Sequence, residues 1–103
     1  MIRAVFDGMT LTLQGHAGAA PHGQDLVCAA VSGLVYALAQ RLTELDRQDA
    51  FSQPPVIRLA PGNARICVTP KGDYAGEVQA IFCLLQSGLR LLQQHYPAQI
   101  QVN

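Results

Sequence analysis

A chain of 103 residues with seven basic and seven acidic side chains has room for one domain, since domains usually hold about 50 to 250 residues. Half of the residues are hydrophobic and 14% are charged, which supplies a core and excludes a disordered polar segment. The charges cancel and no run of Lys or Arg stands out, so the electrostatic footprint of a nucleic-acid binder is absent and no nucleic acid is expected as a partner.

In chain order, Ile2, Ala4 and Phe6 alternate with Arg3 and Val5 ahead of Asp7-Gly8, and Met9 to Gln14 alternates again. This pattern predicts a β-hairpin closed by a tight turn. Gly15 to Gln24 contains Gly15, Gly18, Gly23 and Pro21, a composition that predicts a flexible loop. Asp25 reads as a helix N-cap, because Val27, Val31, Leu34, Leu38, Leu42 and Leu45 recur at steps of three or four and keep one face inward to about Asp46. The apolar run within it, Leu26 to Ala39, is interrupted by Ser32 and Gly33. It falls short of the roughly 20 residues a bilayer requires, so a core helix and no membrane association are expected.

Arg47 to Pro55 reads as a polar connection. Val56 to Ala60 and Arg65 to Thr69 are β-prone runs around Pro61-Gly62-Asn63, which predicts a second hairpin. After the break at Pro70 to Asp73, Val78, Ile81, Phe82, Leu85, Leu89 and Leu92 repeat at helical spacing. That predicts a second helix from about Tyr74 to His95, stopped by Pro97. Ile100 to Val102 offers a short fifth strand. The order β-β-α-β-β-α with short hairpins predicts an α+β, two-layer sandwich: a mainly antiparallel sheet carrying two helices.

Cys28, Cys67 and Cys83 are odd in number and far apart, which suits free thiols in a reducing compartment. With no secretory-signal pattern at the N-terminus, a cytoplasmic location is expected. At least two of the three cysteines are expected to be ordinary core residues. Counting from Asp25 puts Cys28 at the third helical position, where backbone N–H groups and the positive end of the helix dipole favour an anion such as a thiolate. A small buried cysteine in an apolar helix would look the same. His16 ends the second strand at the start of the loop, where it can face the helix start and serve as a base, although a lone loop histidine is also a common solvated residue. His22 is the rival base. Asp25 could orient an imidazole but already has its cap role, and Ser32 stands one turn beyond Cys28 on the same face. His95 fits a dipole contact at a helix C-terminus. A metal site built on His16, His22 and Cys28 matches no common zinc spacing, so neither a metal nor a cofactor is expected.

The stretch GHAGAAPHGQDLVCAAVSGL, Gly15 to Leu34, closely resembles the signature of the ribosomal-processing cysteine protease (Prp) family. In that signature Gly-His-Ala-Gly precedes a Gly-x-Asp-x-Val-Cys-Ala-Ala-Val-Ser helix start. The chain differs at Ala19, where the family commonly has an aromatic residue, and at Pro21-His22. The resemblance implies that His16 and Cys28 are the catalytic pair and that Asp25 and Ser32 correspond to the family's Asp and Ser beside the nucleophile. It implies a homodimeric endopeptidase that trims an N-terminal extension from the twenty-seventh large-subunit ribosomal protein, after a glutamine. The expected chemistry is attack by the Cys28 thiolate, with backbone N–H groups at the helix start holding the oxyanion and Gly15, Gly18 and Gly23 hinging the loop. Two rival readings are a non-catalytic dimeric ribosome-assembly or adaptor module and a thiol hydrolase or transferase acting on a small acyl substrate.

Overall fold

The computed structural model describes residues 1–16 and 25–103. The expectations for Ala19, Pro21 and His22, and for the loop hinges Gly18 and Gly23, lie outside these residues. The elements are β1 (Ile2–Asp7), β2 (Thr10–Gln14), α1 (Leu26–Arg47), β3 (Val56–Ala60), β4 (Asn63–Cys67), α2 (Gly72–His95) and β5 (Ile100–Val102). The five strands form one sheet in the order β3-β4-β2-β1-β5, antiparallel throughout except for the parallel pairing of β1 with β5. This is the expected two-layer α+β architecture with the fifth strand added.

Alternation places Ile2 and Ala4 of β1, Leu11 and Leu13 of β2, and Ala64 and Ile66 of β4 on the covered face, all buried. Against them pack Val27, Val31, Val35, Leu38, Leu42 and Leu45 of α1, with Val78, Phe82, Leu85 and Leu89 of α2, in one continuous core. The opposite face of the sheet carries no helix: Arg3, Gln14, Arg58, Asn63 and Arg65 stand exposed on it. At 22 residues α1 is long and apolar enough to meet the length and composition of a membrane-crossing helix, where the sequence placed only the run Leu26 to Ala39. Its buried face lies in the core, as a core helix was expected to do.

Both hairpin turns are set by glycine. Gly8 has φ 57° and Gly62 φ 72°, values that an L side chain adopts only at a cost. Because Pro61 and Gly62 alone make the second turn, Asn63 already pairs with Ala60, so β4 begins two residues earlier than the sequence suggested and ends before Val68. The connection between α1 and β3 is less polar than expected: Ala50 and Phe51 are buried, and Phe51 bridges to Pro70. Asp49, at φ 60° just beyond α1, takes the Lys71 ammonium at 2.6 Å.

The expectation that at least two of the three cysteines are core residues needs correction. Cys67 shares a strand face with Arg65, on the open side of the sheet, where it accepts the Thr10 hydroxyl at 3.1 Å. Cys83 is exposed on the outer side of α2. Neither is a core residue, because the periodicity that buries Phe82 and Ile66 turns the following residue outward.

Candidate active site

The end of β2 and the start of α1 meet at one end of the sheet. Gly15 follows β2 with φ 97°, and its N–H donates to the Gly62 carbonyl at 2.9 Å. A Cβ on Gly15 would run into the Met1 carbonyl, so only glycine lets the chain turn here. That turn delivers His16 to the β3–β4 hairpin. Its imidazole lies over Gly62 so closely that a Cβ on Gly62 would be 2.6 Å from Nε2. The ring is exposed, and among the described residues it makes no hydrogen bond.

Asp25 has extended backbone and caps α1 as the sequence predicts, with Oδ1 accepting the Cys28 N–H at 3.0 Å. Leu26 is the first helical residue, so Cys28 is third and sits in the first turn. Cys28 is half-buried and packs against the core edge, and it lines the same cavity as His16. The first-turn N–H groups do not all remain open: that of Cys28 belongs to Asp25, while those of Leu26 and Val27 have no acceptor within the helix.

The cavity has a volume of about 370 Å³ and brings together Gly15, His16, Cys28 and Ser32 with Tyr36 and Gly62. Apolar side chains of both layers, among them Leu13, Val31 and Val35, form its floor, and no Asp, Glu, Lys or Arg lines it among the described residues. Ser32 is exposed on the cavity wall one turn along from Cys28, and among the described residues its hydroxyl has no hydrogen-bond partner. Asp25 stands behind the site as the cap. His95 is remote from the site and its Nδ1 lies 3.0 Å from the Leu91 carbonyl, a helix-end contact as expected.

Several cavity residues were not singled out from the sequence as part of a site. Pro61-Gly62-Asn63 was legible as a turn but not as the seat of His16, since the contact joins residues 46 positions apart. Tyr36 read as one residue of a helix; it is 62% exposed and lines the cavity.

A five-strand sheet with these two helices occurs in solved proteins. The chain is similar to the essential ribosomal processing protease Prp from S. aureus in complex with a covalently linked product peptide, at 20% identity and a TM-score of 0.76, covering 99% of this chain and 95% of that one. It is also similar to SMU.848 from Streptococcus mutans, at 27% identity and a TM-score of 0.72, covering 100% of this chain and 92% of that one. The S. aureus protease with a substrate peptide matches with a TM-score of 0.69 at 19% identity, over 99% of this chain and 95% of that one. No curated protein sequence matches the chain. The family model described as "Cysteine protease Prp" matches residues 1–101. With nearly the whole length matched, the chain belongs to the Prp family of cysteine proteases.

Proposed function

We propose that this cysteine protease is a cytoplasmic, homodimeric endopeptidase that removes an N-terminal extension from a large-subunit ribosomal protein, cutting after glutamine, with Cys28 as nucleophile and His16 as its base. The observation that carries the reading is the shared cavity: of the three thiols, Cys28 alone lies at a helix start and, among the described residues, on the same walls as a histidine. The substrate class is drawn from the S. aureus relative, which is described as a ribosomal processing protease and is bound to peptides.

In this mechanism the Cys28 thiolate attacks the scissile carbonyl carbon, and the tetrahedral oxyanion is held by N–H donors. Asp25 occupies the Cys28 N–H, so the helix-start donors left for this task are those of Leu26 and Val27. The amine leaves with the proton that His16 carries, and water then hydrolyses the thioester with His16 as base. His16 and Cys28 are not hydrogen-bonded to each other, and in this mechanism the imidazole moves off Gly62 to complete the pair when substrate fills the cavity. Ser32 stands on the wall where it can bond a substrate amide, and Tyr36 can cover the bound chain.

The test is cleavage of a peptide spanning the extension junction of the ribosomal protein, read by mass. Wild-type protein cuts after glutamine, while Cys28→Ala and His16→Ala each lose at least a thousandfold in kcat/KM. Labelling by iodoacetamide at mildly acidic pH, mapped by peptide, marks Cys28 ahead of the more exposed Cys83. Undiminished cutting by Cys28→Ala would remove the nucleophile assignment, and labelling led by Cys83 would favour a module in which Cys28 merely packs.

A further inference from the structure

The zero net charge of the chain conceals a sorting of charges by the fold. Asp25, Glu44, Asp46, Asp49, Asp73 and Glu77 all belong to the helices and the loops beside them. The open face of the sheet carries Arg3, Arg58 and Arg65 with a single carboxylate, Asp7, at its far end. All three arginines are exposed. The ion pairs among the described residues use Arg41 and Lys71, so these three guanidinium groups have no carboxylate partner. Arg58 and Arg65 are direct cross-strand partners, an arrangement that repels and weakens the pairing. A polyanion lying across them would reverse that cost.

The rows are set by register. Val5, Thr12, Arg65 and Arg58 run across β1, β2, β4 and β3, and beside them run Arg3, Gln14, Asn63 and Ala60. Arg3 and Arg65 are two strands and two residues apart, about 12 Å at ordinary strand spacing. A sugar-phosphate strand laid along that diagonal passes Arg3, Arg65 and Arg58 in turn, one phosphate contact to each guanidinium. Guanidinium forks match phosphate oxygens, and the amides of Gln14 and Asn63 with the Thr12 hydroxyl suit ribose 2′-hydroxyls. Among the described residues the face has no aromatic side chain for stacking bases and no apolar pocket to anchor an acidic peptide. Its backbone groups in β1, β2 and β4 are already paired within the sheet, which leaves no strand addition on the face itself.

We infer that the open sheet face is a docking surface for the sugar-phosphate backbone of RNA, read without regard to sequence. Asn63 belongs both to this face and to the cavity wall, so RNA held there runs beside the entrance to the site. The expectation against nucleic acid rested on the chain-wide sum of charges, which this segregation evades.

Fluorescence anisotropy with a 20-mer of uridylate tests the inference on the full chain, and its outcome is separate from peptide cleavage. Three phosphate contacts give a slope of log affinity against log salt near −2, a loss of about twentyfold between 50 and 200 mM salt. The variant Arg3→Gln/Arg58→Gln/Arg65→Gln loses at least tenfold in affinity at low salt and cuts a short peptide as wild type does. The control Arg47→Gln/Arg90→Gln, on the helix side, keeps its RNA affinity. Should the triple variant fold poorly, Arg58→Gln alone, on the edge strand, shallows the salt slope by about 0.7. Absence of RNA binding at 50 mM salt, equal loss in the helix-side control, or equally tight binding of poly-glutamate overturns the proposal.

Discussion

Gly8 and Gly62 each close a hairpin at positive φ, but their surroundings differ. Nothing lies within 4 Å of a Cβ on Gly8, whereas a Cβ on Gly62 meets the His16 ring at 2.6 Å. Gly8→Ala therefore carries only the left-handed backbone penalty of about 1 to 2 kcal/mol and leaves peptide cleavage unchanged. Gly62→Ala carries a similar penalty and also displaces the imidazole, so kcat/KM falls more than tenfold. Urea unfolding and peptide-cleavage kinetics of the two variants check this; equal activity in both would show that the seat on Gly62 does not position His16. At this scale the sequence was legible where the physics is local. Asp25 and Cys28 are three residues apart, and capping preference alone placed the thiol in the first turn. The seat of His16 was hidden because a turn glycine in one hairpin gives no sign of which side chain from another will lie on it.

Among the elements, the helices were legible because burial repeats at their own period. Val27, Val31, Leu38, Leu42 and Leu45 lie in the core as the spacing predicts, and Leu34 sits beside them, half-buried against Gly88 of α2. Strand β4 was misplaced by two residues because Arg65 to Thr69 is no less β-prone than Asn63 to Cys67. Pairing with both β2 and β3, which sequence does not display, chose between them. The two helices are also joined at the surface, where Arg41 bonds Glu44 of its own helix at 3.2 Å and Glu77 of α2 at 2.9 Å. The Arg41 guanidinium, through its hydrogen bond above all and with help from Gln40, holds the Glu44 carboxyl below its ordinary value of 4.5. A carboxyl whose folded value is depressed stabilises the fold above its unfolded value, and that contribution is lost as pH falls from about 4.5 through the folded value. The pair is well exposed, so its effect on stability is small and the titration itself is the better readout. Carbon-detected NMR of the Glu44 carboxyl follows it: Arg41→Gln raises the midpoint toward 4.5, and an unmoved midpoint would remove Arg41 as the cause.

The molecule as a whole is flat, 42 × 23 × 16 Å, with a radius of gyration of 13.8 Å, where a compact chain of this length has about 12.8 Å. Its surface of 6175 Å² exceeds the roughly 5,700 Å² usual for its mass. A two-layer plate is a thin way to enclose a core, and the sequence could not reveal the thinness: strand order and the uncovered sheet face follow from long-range pairing. Apolar side chains stand open on the outer side of α2, where Leu84 is 75% and Leu91 55% exposed, seven residues apart and so on one line of the helix. Tyr36 belongs to the cavity, and Leu26 adjoins the site; Leu84 and Leu91 serve neither, and association through α2 is the arrangement that would bury them. Homodimers are accordingly expected by sedimentation at micromolar protein. Leu84→Lys/Leu91→Lys sediments as a monomer with unchanged unfolding of the core, since neither side chain is in it. A wild-type monomer at that concentration would remove the dimer from the proposed function, and a dimeric double variant would place the contact elsewhere than on α2.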